Sequence, residues 1–513
     1  MNPYETDLDR NPANYQPLTP LTYLERAARV FPAQTAIIHG NQHISYAEFW
    51  RRSLKLASAL AARGIGAGDR VVIVLPNGIE WVVAYQGAVR AGAIPVPLNP
   101  LLATAEIETI VADCEPAAVV TTGSALSPGA ASWAALDIAG DAAAIVSTEG
   151  DIVECPPCRP DDTALILYSS GSTGRPKGVE LSHYNLFWNA QAFAVDLLRL
   201  TPEDRAYGVL PFSHIFGHTC LYTAFLLVGA SICLVPRFDP EETFRTMARH
   251  RVTVFMGVPT MYWTLAKAPL PGGLDLSGWR ACVSGGQALP QEVHARFEER
   301  FSVLISEGYG MTEASPSVCG ARLFGAPRKP GSAGQPYWGV RLRIVDGRGR
   351  DLPPGERGEI LVSSPGLAKG YFRQPELTAE AFRDGWLHTG DIGLLDEDGF
   401  LFVVDRKKEM IISGGYNVYP REIEEVAHRM PGVLEVAAIG EPDERLGETI
   451  VAYVVPEAGA AVDGDALIAE WSACLARYKV PRAVRVVDAL PRNATGKVDR
   501  MRLRSMSSET GKK

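Results

Sequence analysis

Residues 167–183, LYSSGSTGRPKGVELSH, combine glycines, hydroxyl side chains and one lysine directly after an apolar run. Glycine lets backbone N–H groups approach an anion closely, and serine or threonine hydroxyls add further donors. The stretch therefore predicts a phosphate-binding loop that follows a strand. It is not a Walker A motif, because Lys177 stands before Gly178 and directly after Pro176. We expect this loop to bind a nucleotide, but not to serve P-loop hydrolysis.

The length and composition describe a large folded protein. The chain has 513 residues, of which 46% are hydrophobic and 21% are charged. Such a length exceeds what one hydrophobic core usually serves, so at least two domains are expected. The formal net charge of -9 disfavours a nucleic-acid partner, because proteins that bind nucleic acids present basic surfaces.

The N-terminal segment, MNPYETDLDRNPANY, has neither the basic start nor the apolar core of a secretory signal, so a cytoplasmic protein is expected. The longest uncharged run, residues 219–235, is shorter than the roughly 20 apolar residues of a membrane span. It predicts a buried helix that ends at Gly229, followed by a short strand, and no transmembrane segment is expected.

Eight cysteines are scattered along the chain, and Cys155 and Cys158 form the one suggestive spacing, CPPC. A zinc site would need a second pair of Cys or His ligands nearby, and the sequence offers none. We interpret this pair as reduced thiols in a proline-rich connector.

The order of segments predicts an α/β protein. Strand-like runs such as RVVIVLPNG, AAVVTT, TALILYS, VTVFMGVP and WRACVSGG alternate with helical patterns, which is typical of parallel sheets covered by helices. After Pro330, short strands between glycine and proline turns predict a small β-rich barrel or sheet. From Asp405 onward, amphipathic helices and strands predict a compact α+β unit.

Five segments, taken together, identify a family. They are YSSGSTGRPKGVE (168–180), EGYGMTEAS (307–315), GWLHTGD (385–391), DRKKEMIISGGYNVYPREIE (405–424) and PRNATGK (491–497). In this order and spacing they resemble the adenylate-forming superfamily of acyl-CoA synthetases, nonribosomal-peptide adenylation domains and luciferases. The resemblance implies an AMP-binding and acyl-binding N-terminal domain at 1–404, a hinge at 405–408 and a mobile C-terminal domain at 409–513.

The resemblance also implies what the glycine-rich loop holds. The β and γ phosphates of ATP would lie there while they leave as pyrophosphate, and the substrate carboxylate would attack the α-phosphorus to give an acyl-adenylate. That step needs charge neutralisation and alignment of two anions that repel each other. The implied ATP-binding residues of the loop and of two glycine positions elsewhere are Ser169, Ser170, Gly171, Ser172, Thr173, Gly174, Lys177, Gly285 and Gly310.

Other ATP contacts implied by the resemblance lie in three later motifs. Glu313 matches the magnesium ligand, a role that suits a hard carboxylate, and Ser169 is assigned to the same Mg²⁺. Thr312 matches a phosphate-contacting hydroxyl and Tyr309 the ring that packs on adenine. Asp391 resembles the carboxylate that accepts hydrogen bonds from both ribose hydroxyls, and Arg406 matches a second ribose contact.

Lys497 resembles the lysine that reaches from the small domain to bridge the carboxylate and the α-phosphate, a role that suits a long stem with a point charge. Coenzyme A must later reach the acyl carbon, so the resemblance implies a domain rotation about Lys408. The glycines of SGGYNV would then let the pantetheine arm pass, which assigns Gly414, Gly415 and Tyr416 to coenzyme A.

The acyl pocket is implied at His214, Phe216, Cys220, Gly286 and Gly308. His214 would also gate the thiol tunnel, whereas we interpret His218, one turn later, as an ordinary core residue. The pocket positions carry no charge and include two glycines, so the acid is expected to be apolar. A medium- or long-chain fatty acid is the first choice, and an aryl or arylpropenoic acid is the alternative.

Three functions follow from these assignments. The first is an acyl-CoA ligase that uses ATP, Mg²⁺ and coenzyme A; the second is an adenylating enzyme that loads a carrier protein. The third is a nucleotide-binding protein without turnover, which the intact Lys497, Glu313 and Lys177 disfavour. The expected partners are a small carboxylic acid and coenzyme A, and a homodimer is left open.

Overall fold

The structure is a computed structural model that describes residues 20–122, 134–137, 158–169, 177–492 and 497–510. The N-terminal segment 1–19, Cys155 and residues 170–174 of the predicted phosphate loop lie outside these ranges. Cys158 is a free thiol.

The first strand and helix alternation forms a four-stranded parallel sheet. The strand Arg70–Val74 lies inside it, and Val71, Val72 and Ile73 are fully buried. Its continuous apolar run is expected, because parallel sheets are covered on both faces. Across the sheet the strands are Ile94–Leu98, Arg70–Val74, Ala118–Thr121 and Ala134–Asp137.

The largest sheet in the described ranges has nine strands. Its six inner strands are parallel and its outer strands are antiparallel. The predicted parallel strands VTVFMGVP and WRACVSGG are neighbours within it. Across the sheet the strands are Gln335–Pro336, Ser317–Gly320, Ile305–Gly310, Ala281–Ser284, Val254–Gly257, Arg205–Gly208, Ser231–Leu234, Thr35–His39 and Gln42–Ser45.

The strand that precedes the glycine-rich loop does not belong to a parallel sheet, which corrects the expectation for TALILYS. Thr163–Ser169 pairs antiparallel with Lys177–Ser182, and Gly370–Tyr371 completes a three-stranded sheet. A buried apolar run is compatible with a parallel and with an antiparallel strand, so the sequence could not distinguish the two arrangements. The predicted loop therefore connects the two strands of a hairpin.

The segment after Pro330 forms an antiparallel sheet, as its glycine and proline turns predict. The strand Leu401–Arg406 pairs with Trp386–Leu395 and ends where the hinge is predicted. The sheet contains Arg341–Val345, Gly358–Ser363, Trp386–Leu395, Phe382–Arg383 and Leu401–Arg406.

The C-terminal part is a compact α+β unit, as predicted. Trp471 is fully buried on one side of its sheet, and Leu503 is fully buried in a second cluster with Ala437 and Ile439. The sheet contains Tyr416–Val418, Ile411–Ser413, Gly447–Pro456, Val433–Asp443 and Ala483–Val486. The exact domain boundaries at 404 and 408 stay a prediction.

The uncharged run at 219–235 folds as expected. A helix ends at Gly229, whose φ of +85° gives the left-handed cap that favours glycine, and the strand Ser231–Leu234 follows. Within the described ranges, no helix is both long and apolar enough to cross a membrane.

The helices of the described ranges cover the sheets. The α-helices are Pro20–Val30, Tyr46–Ala61, Ile79–Arg90, Thr104–Cys114, His183–Gln191, Ala224–Val228, Pro240–His250, Pro259–Lys267, Gln291–Phe301, Pro375–Ala381, Pro420–Ala427, Gly464–Cys474 and Arg500–Thr510. The π-helical segments are Ala192–Leu197 and Phe216–Thr223, and the 3₁₀ turns are Thr312–Ala314 and Arg477–Lys479.

Candidate active site

The hairpin that carries the glycine-rich loop closes at its base by pairing Ser169 with Lys177 and Tyr168 with Gly178. Ser170, Gly171, Ser172, Thr173 and Gly174 lie outside the described residues, as does the side chain of Ser169. Lys177 is the first residue of the returning strand, so the hairpin fixes where its side chain leaves the backbone.

Lys177 and Glu313 meet at a third residue, Tyr371. The Lys177 ammonium lies 5.4 Å from the centre of the Tyr371 ring, and the Tyr371 hydroxyl donates a 2.9 Å hydrogen bond to Oε1 of Glu313. Burial and the Glu313 carboxylate raise the pKa of Tyr371, so the phenol stays a donor. The sequence analysis missed Tyr371, because 58 residues separate it from Glu313 and no local pattern marks it.

Thr312 and Glu313 lie in the same turn, just after a strand of the nine-stranded sheet. The strand Ile305–Gly310 ends just before the 3₁₀ turn Thr312–Ala314, which carries both side chains. A β-carbon on Gly310 would lie only 2.1 Å from the carbonyl oxygen of Pro316, so no side chain fits there. The glycine thus allows the strand end and the following turn to pack closely.

Tyr309, Asp391 and Arg406 form one cluster. The Tyr309 hydroxyl donates a 2.7 Å hydrogen bond to Oδ2 of Asp391, and Nε of Arg406 lies 3.5 Å from Oδ1. Asp391 and Arg406 are directly paired across neighbouring strands. Burial raises the pKa of Asp391, while Arg406 and Tyr309 oppose that rise by favouring the carboxylate.

Lys497 reaches this cluster from the C-terminal unit. Its Cε lies 3.7 Å from the position of a β-carbon built on Gly286, a residue whose φ of +83° favours glycine. Burial and then Arg406 lower the pKa of Lys497 to about 8, whereas Asp391 acts in the opposite direction. The predicted meeting of Lys497 with the N-terminal residues is therefore present in this conformation.

Two of the predicted acyl-pocket residues, His214 and Gly286, lie near Lys497. Burial and then Lys497 lower the pKa of His214 to about 4, so its ring is neutral at physiological pH. A β-carbon on Gly285 would lie 3.2 Å from the Phe216 ring, and one on Gly308 would lie 3.2 Å from a backbone oxygen, that of Cys319. A side chain at either position would therefore crowd its neighbour.

Cys220, another predicted acyl-pocket residue, contacts a polar side chain of the nine-stranded sheet. Sγ of the fully buried Cys220 lies 3.2 Å from Oγ of Ser317, and the buried Tyr337 lies within electrostatic reach of Cys220. Cys220 is one of the predicted pocket residues. Ser317, the first residue of the strand Ser317–Gly320, lies outside the five motifs and was not predicted. His218 is fully buried, with its ring centre 4.8 Å from that of Tyr85, which confirms it as a core residue.

The predicted hinge and coenzyme A residues divide into two groups. Burial and then Arg406 lower the pKa of Lys408, and Lys177 acts in the same direction, so Lys408 lies near the site. Gly414, Gly415 and Tyr416 are instead exposed, and the Tyr416 ring stacks on Tyr478 at 4.4 Å.

Comparisons with known proteins agree with this geometry. Residues 24–372 match the family model described as AMP-binding enzyme, and residues 422–497 match the AMP-binding enzyme C-terminal domain. A feruloyl-CoA synthase from an Amycolatopsis species is 41% identical, covering 92% of this chain and 96% of its own. A long-chain-fatty-acid–CoA ligase from Bacillus subtilis is 35% identical, covering 94% of each chain.

Among solved structures, ATP-bound MatB from Rhodopseudomonas palustris superposes with a TM-score of 0.87 at 35% identity, covering 94% of this chain and 98% of its own. The fold, the two matched regions and the named relatives agree with the resemblance that the five motifs carry. The chain therefore belongs to the AMP-binding enzyme family and is an AMP-forming acid–CoA ligase.

Proposed function

We propose that the cluster of Lys177, Glu313, Asp391 and Lys497 carries the first half-reaction. Lys177 and the glycine-rich loop would neutralise the departing pyrophosphate, and Asp391 would accept hydrogen bonds from the ribose hydroxyls. Lys497 would lie between the incoming carboxylate and the α-phosphate. The arrival of two anions favours the charged ammonium, which offsets the burial that lowers its pKa.

Glu313 fits the proposed Mg²⁺ ligand. Its carboxylate is a hard oxygen donor, and the hydrogen bond from Tyr371 fixes one oxygen in place. The ion would neutralise charge on the phosphates when bound. Lys177, whose ammonium lies 5.4 Å from the centre of the same tyrosine ring, supplies a second positive charge to this region.

The second half-reaction would need the acyl carbon to become accessible to the thiol of coenzyme A. In the present conformation Lys497 lies in the site while Gly414, Gly415 and Tyr416 are exposed to solvent. A rotation about Lys408 would exchange these two surfaces. We propose that the conformation described here is the adenylate-forming one.

For the acid, we propose an aryl or arylpropenoic acid. The contact between Cys220, a predicted acyl-pocket residue, and Ser317 is the observation that carries this proposal. A hydroxyl or methoxyl substituent on an aromatic ring that reached this pair could exchange hydrogen bonds with the thiol and the hydroxyl. The 41% identity to a feruloyl-CoA synthase supports the same choice.

The fatty acid that the sequence favoured remains the second candidate. A relative of the long-chain class is 35% identical over nearly the whole chain. A long alkyl chain that reached the contact between Cys220 and Ser317 would, however, offer neither group a hydrogen bond beyond the one that they share.

The test compares aryl acids with alkyl acids, and the first pair has equal carbon number. The full chain is assayed with ATP, Mg²⁺, coenzyme A and one acid at a time: first cinnamate and nonanoate, then ferulate and palmitate. AMP and thioester are measured in the same reaction. We expect kcat/KM for the aryl acids to exceed that for the alkyl acids by about 10-fold or more. Preference for palmitate would establish the fatty-acid alternative. Pyrophosphate release without thioester would point to a carrier protein as the acceptor.

A further inference from the structure

The short loop that carries Lys497 is closed at its base. Arg492 and Val498 form an antiparallel bridge, and the N–H of Asp499 donates a 2.8 Å hydrogen bond to the carbonyl of Pro491. Lys497 therefore leaves a backbone whose two ends are held together. The helix Arg500–Thr510 begins three residues later and is anchored to the C-terminal sheet by the buried Leu503.

Arg500 joins this base to two carboxylates. Its Nη1 donates a 2.9 Å hydrogen bond to Oε2 of Glu409, and its Nη2 donates to Oε1 of Glu424. The same oxygen of Glu424 accepts the N–H of Ala438 at 2.9 Å, which fixes that carboxylate to the sheet. One guanidinium thus connects the lysine loop, a sheet strand and the segment just after Lys408.

Glu409 is the link to the hinge. The N–H of Glu409 donates a 2.9 Å hydrogen bond to the carbonyl of Arg406. The position of Glu409 therefore depends on the backbone on the N-terminal side of Lys408. Its charge also reaches Lys497, whose pKa it acts to raise. Asp405 lies within the field of Arg500 and accepts the N–H of Arg421 at 3.1 Å.

We propose that Arg500 is a positioning residue for adenylate formation. Through its contact with Glu409, Arg500 holds Lys497 in a fixed position relative to the hinge. A planar guanidinium can hold two carboxylates at fixed angles, which a lysine cannot. Rotation at Lys408 changes the backbone next to Glu409, so the same contact transmits the hinge state to the loop. The inference rests on the proposed role of Lys497.

A purely structural role makes a different prediction. If Arg500 only stabilised the C-terminal unit, its loss would weaken both half-reactions, because both need that unit folded. If it positions Lys497, its loss affects pyrophosphate release and spares thioester formation from a supplied acyl-adenylate.

The experiment measures both half-reactions, and thermal unfolding, for the full chain and five variants. Arg500→Ala and Arg500→Lys remove the two-carboxylate contact, and Glu409→Gln removes its hinge side. Arg485→Ala is the matched control, because Arg485 pairs with Glu441 at 2.8 Å in the same unit, away from the hinge. Lys497→Ala provides the reference for complete loss of the lysine.

We expect Arg500→Ala and Arg500→Lys to slow pyrophosphate release by about 10- to 100-fold, with thioester formation from acyl-adenylate changed less than about threefold. Glu409→Gln should show a smaller loss of the same kind, and Arg485→Ala none.

Equal loss of both half-reactions in Arg500→Lys and Glu409→Gln would overturn the proposal. If Lys497→Ala slows pyrophosphate release and the Arg500 variants do not, only the positioning role fails. If Lys497→Ala has no effect, the proposed role of Lys497 fails and the inference fails with it.

Discussion

Cε of Lys497 lies 3.7 Å from the position that a methyl group on Gly286 would occupy. Two residues separated by more than two hundred positions thus meet across the junction of the N-terminal and C-terminal parts. The backbone of Gly286 is left-handed, a conformation that favours glycine, so this residue presents no side chain to the lysine. We propose that the reacting carboxylate binds beside Gly286 and the Lys497 ammonium.

Gly286→Ala tests this placement. The alanine must adopt a φ near +83°, which costs about 1–2 kcal/mol, and its methyl group would lie in van der Waals contact with Lys497, where the carboxylate is proposed to bind. We expect pyrophosphate release to fall by about 10-fold. Gly273→Ala is the control, because Gly273 has a φ of +77° with open space around it, so it carries the strain alone. Equal activity of the two variants would contradict the placement.

Tyr309→Phe tests the cluster around Asp391. Burial raises the pKa of Asp391, so its ionisation should place the acid limb of kcat/KM for ATP above the ordinary range of an aspartate. The Tyr309 hydroxyl favours the charged carboxylate, so its removal raises that pKa further. We expect the acid limb to move to higher pH in this variant, as measured from pH profiles. An unmoved limb, or one that moves to lower pH, would contradict the assignment.

His294 should make stability depend on pH. Burial lowers its pKa, but hydrogen bonds to Glu298 at 3.0 Å and Glu307 at 2.9 Å outweigh burial and raise it to about 9. Because the folded pKa exceeds the unfolded value of about 6.5, the stabilisation is complete below that pH and is lost as pH rises through about 9.

His294→Gln should therefore lower the midpoint of thermal unfolding most below pH ~6.5, by an amount corresponding to about 2 kcal/mol. Above pH ~9.5 the midpoints of wild type and variant should converge, apart from the lost packing. A difference that is constant across this range, or that grows at high pH, would show that the histidine is neutral in the folded protein.

Cys220→Leu tests the proposal that Cys220 lines the acyl pocket. The larger side chain fills the space beside Ser317, and overpacking costs about 1–3 kcal/mol of stability. We expect kcat/KM for ferulate to fall by about 10-fold or more, with a smaller change for benzoate, which does not reach as far. Cys233→Leu, at another buried cysteine, controls for stability. Equal losses for both acids would place Cys220 outside the acyl pocket.

The motifs predicted much of the site because each one is local in sequence. Tyr309, Glu313 and the hairpin lysine Lys177 lie at strand ends or turns that short patterns can mark, and Lys497 follows from the register of PRNATGK. Their roles stay predictions, but the structure brings them together. The fold class follows in the same way, from the alternation of apolar strands and helices.

What the sequence missed depends on contacts between distant segments. Tyr371 contacts Glu313 from 58 residues away, Ser317 contacts Cys220 from 97 residues away, and Arg500 contacts Glu409 from 91 residues away. Each is an ordinary polar residue outside any periodic pattern. The antiparallel pairing of Thr163–Ser169 was missed for a related reason, because the partner strand and not the run itself sets its direction.

The most direct test of the account measures the two half-reactions of Lys497→Ala separately. Pyrophosphate release is followed with ferulate and ATP, and thioester formation is followed with preformed feruloyl-adenylate and coenzyme A. The account predicts that pyrophosphate release falls by at least about 100-fold while thioester formation stays near the wild-type rate. Equal loss of both steps, or an unchanged first step, would contradict the proposal that this conformation presents Lys497 for adenylate formation.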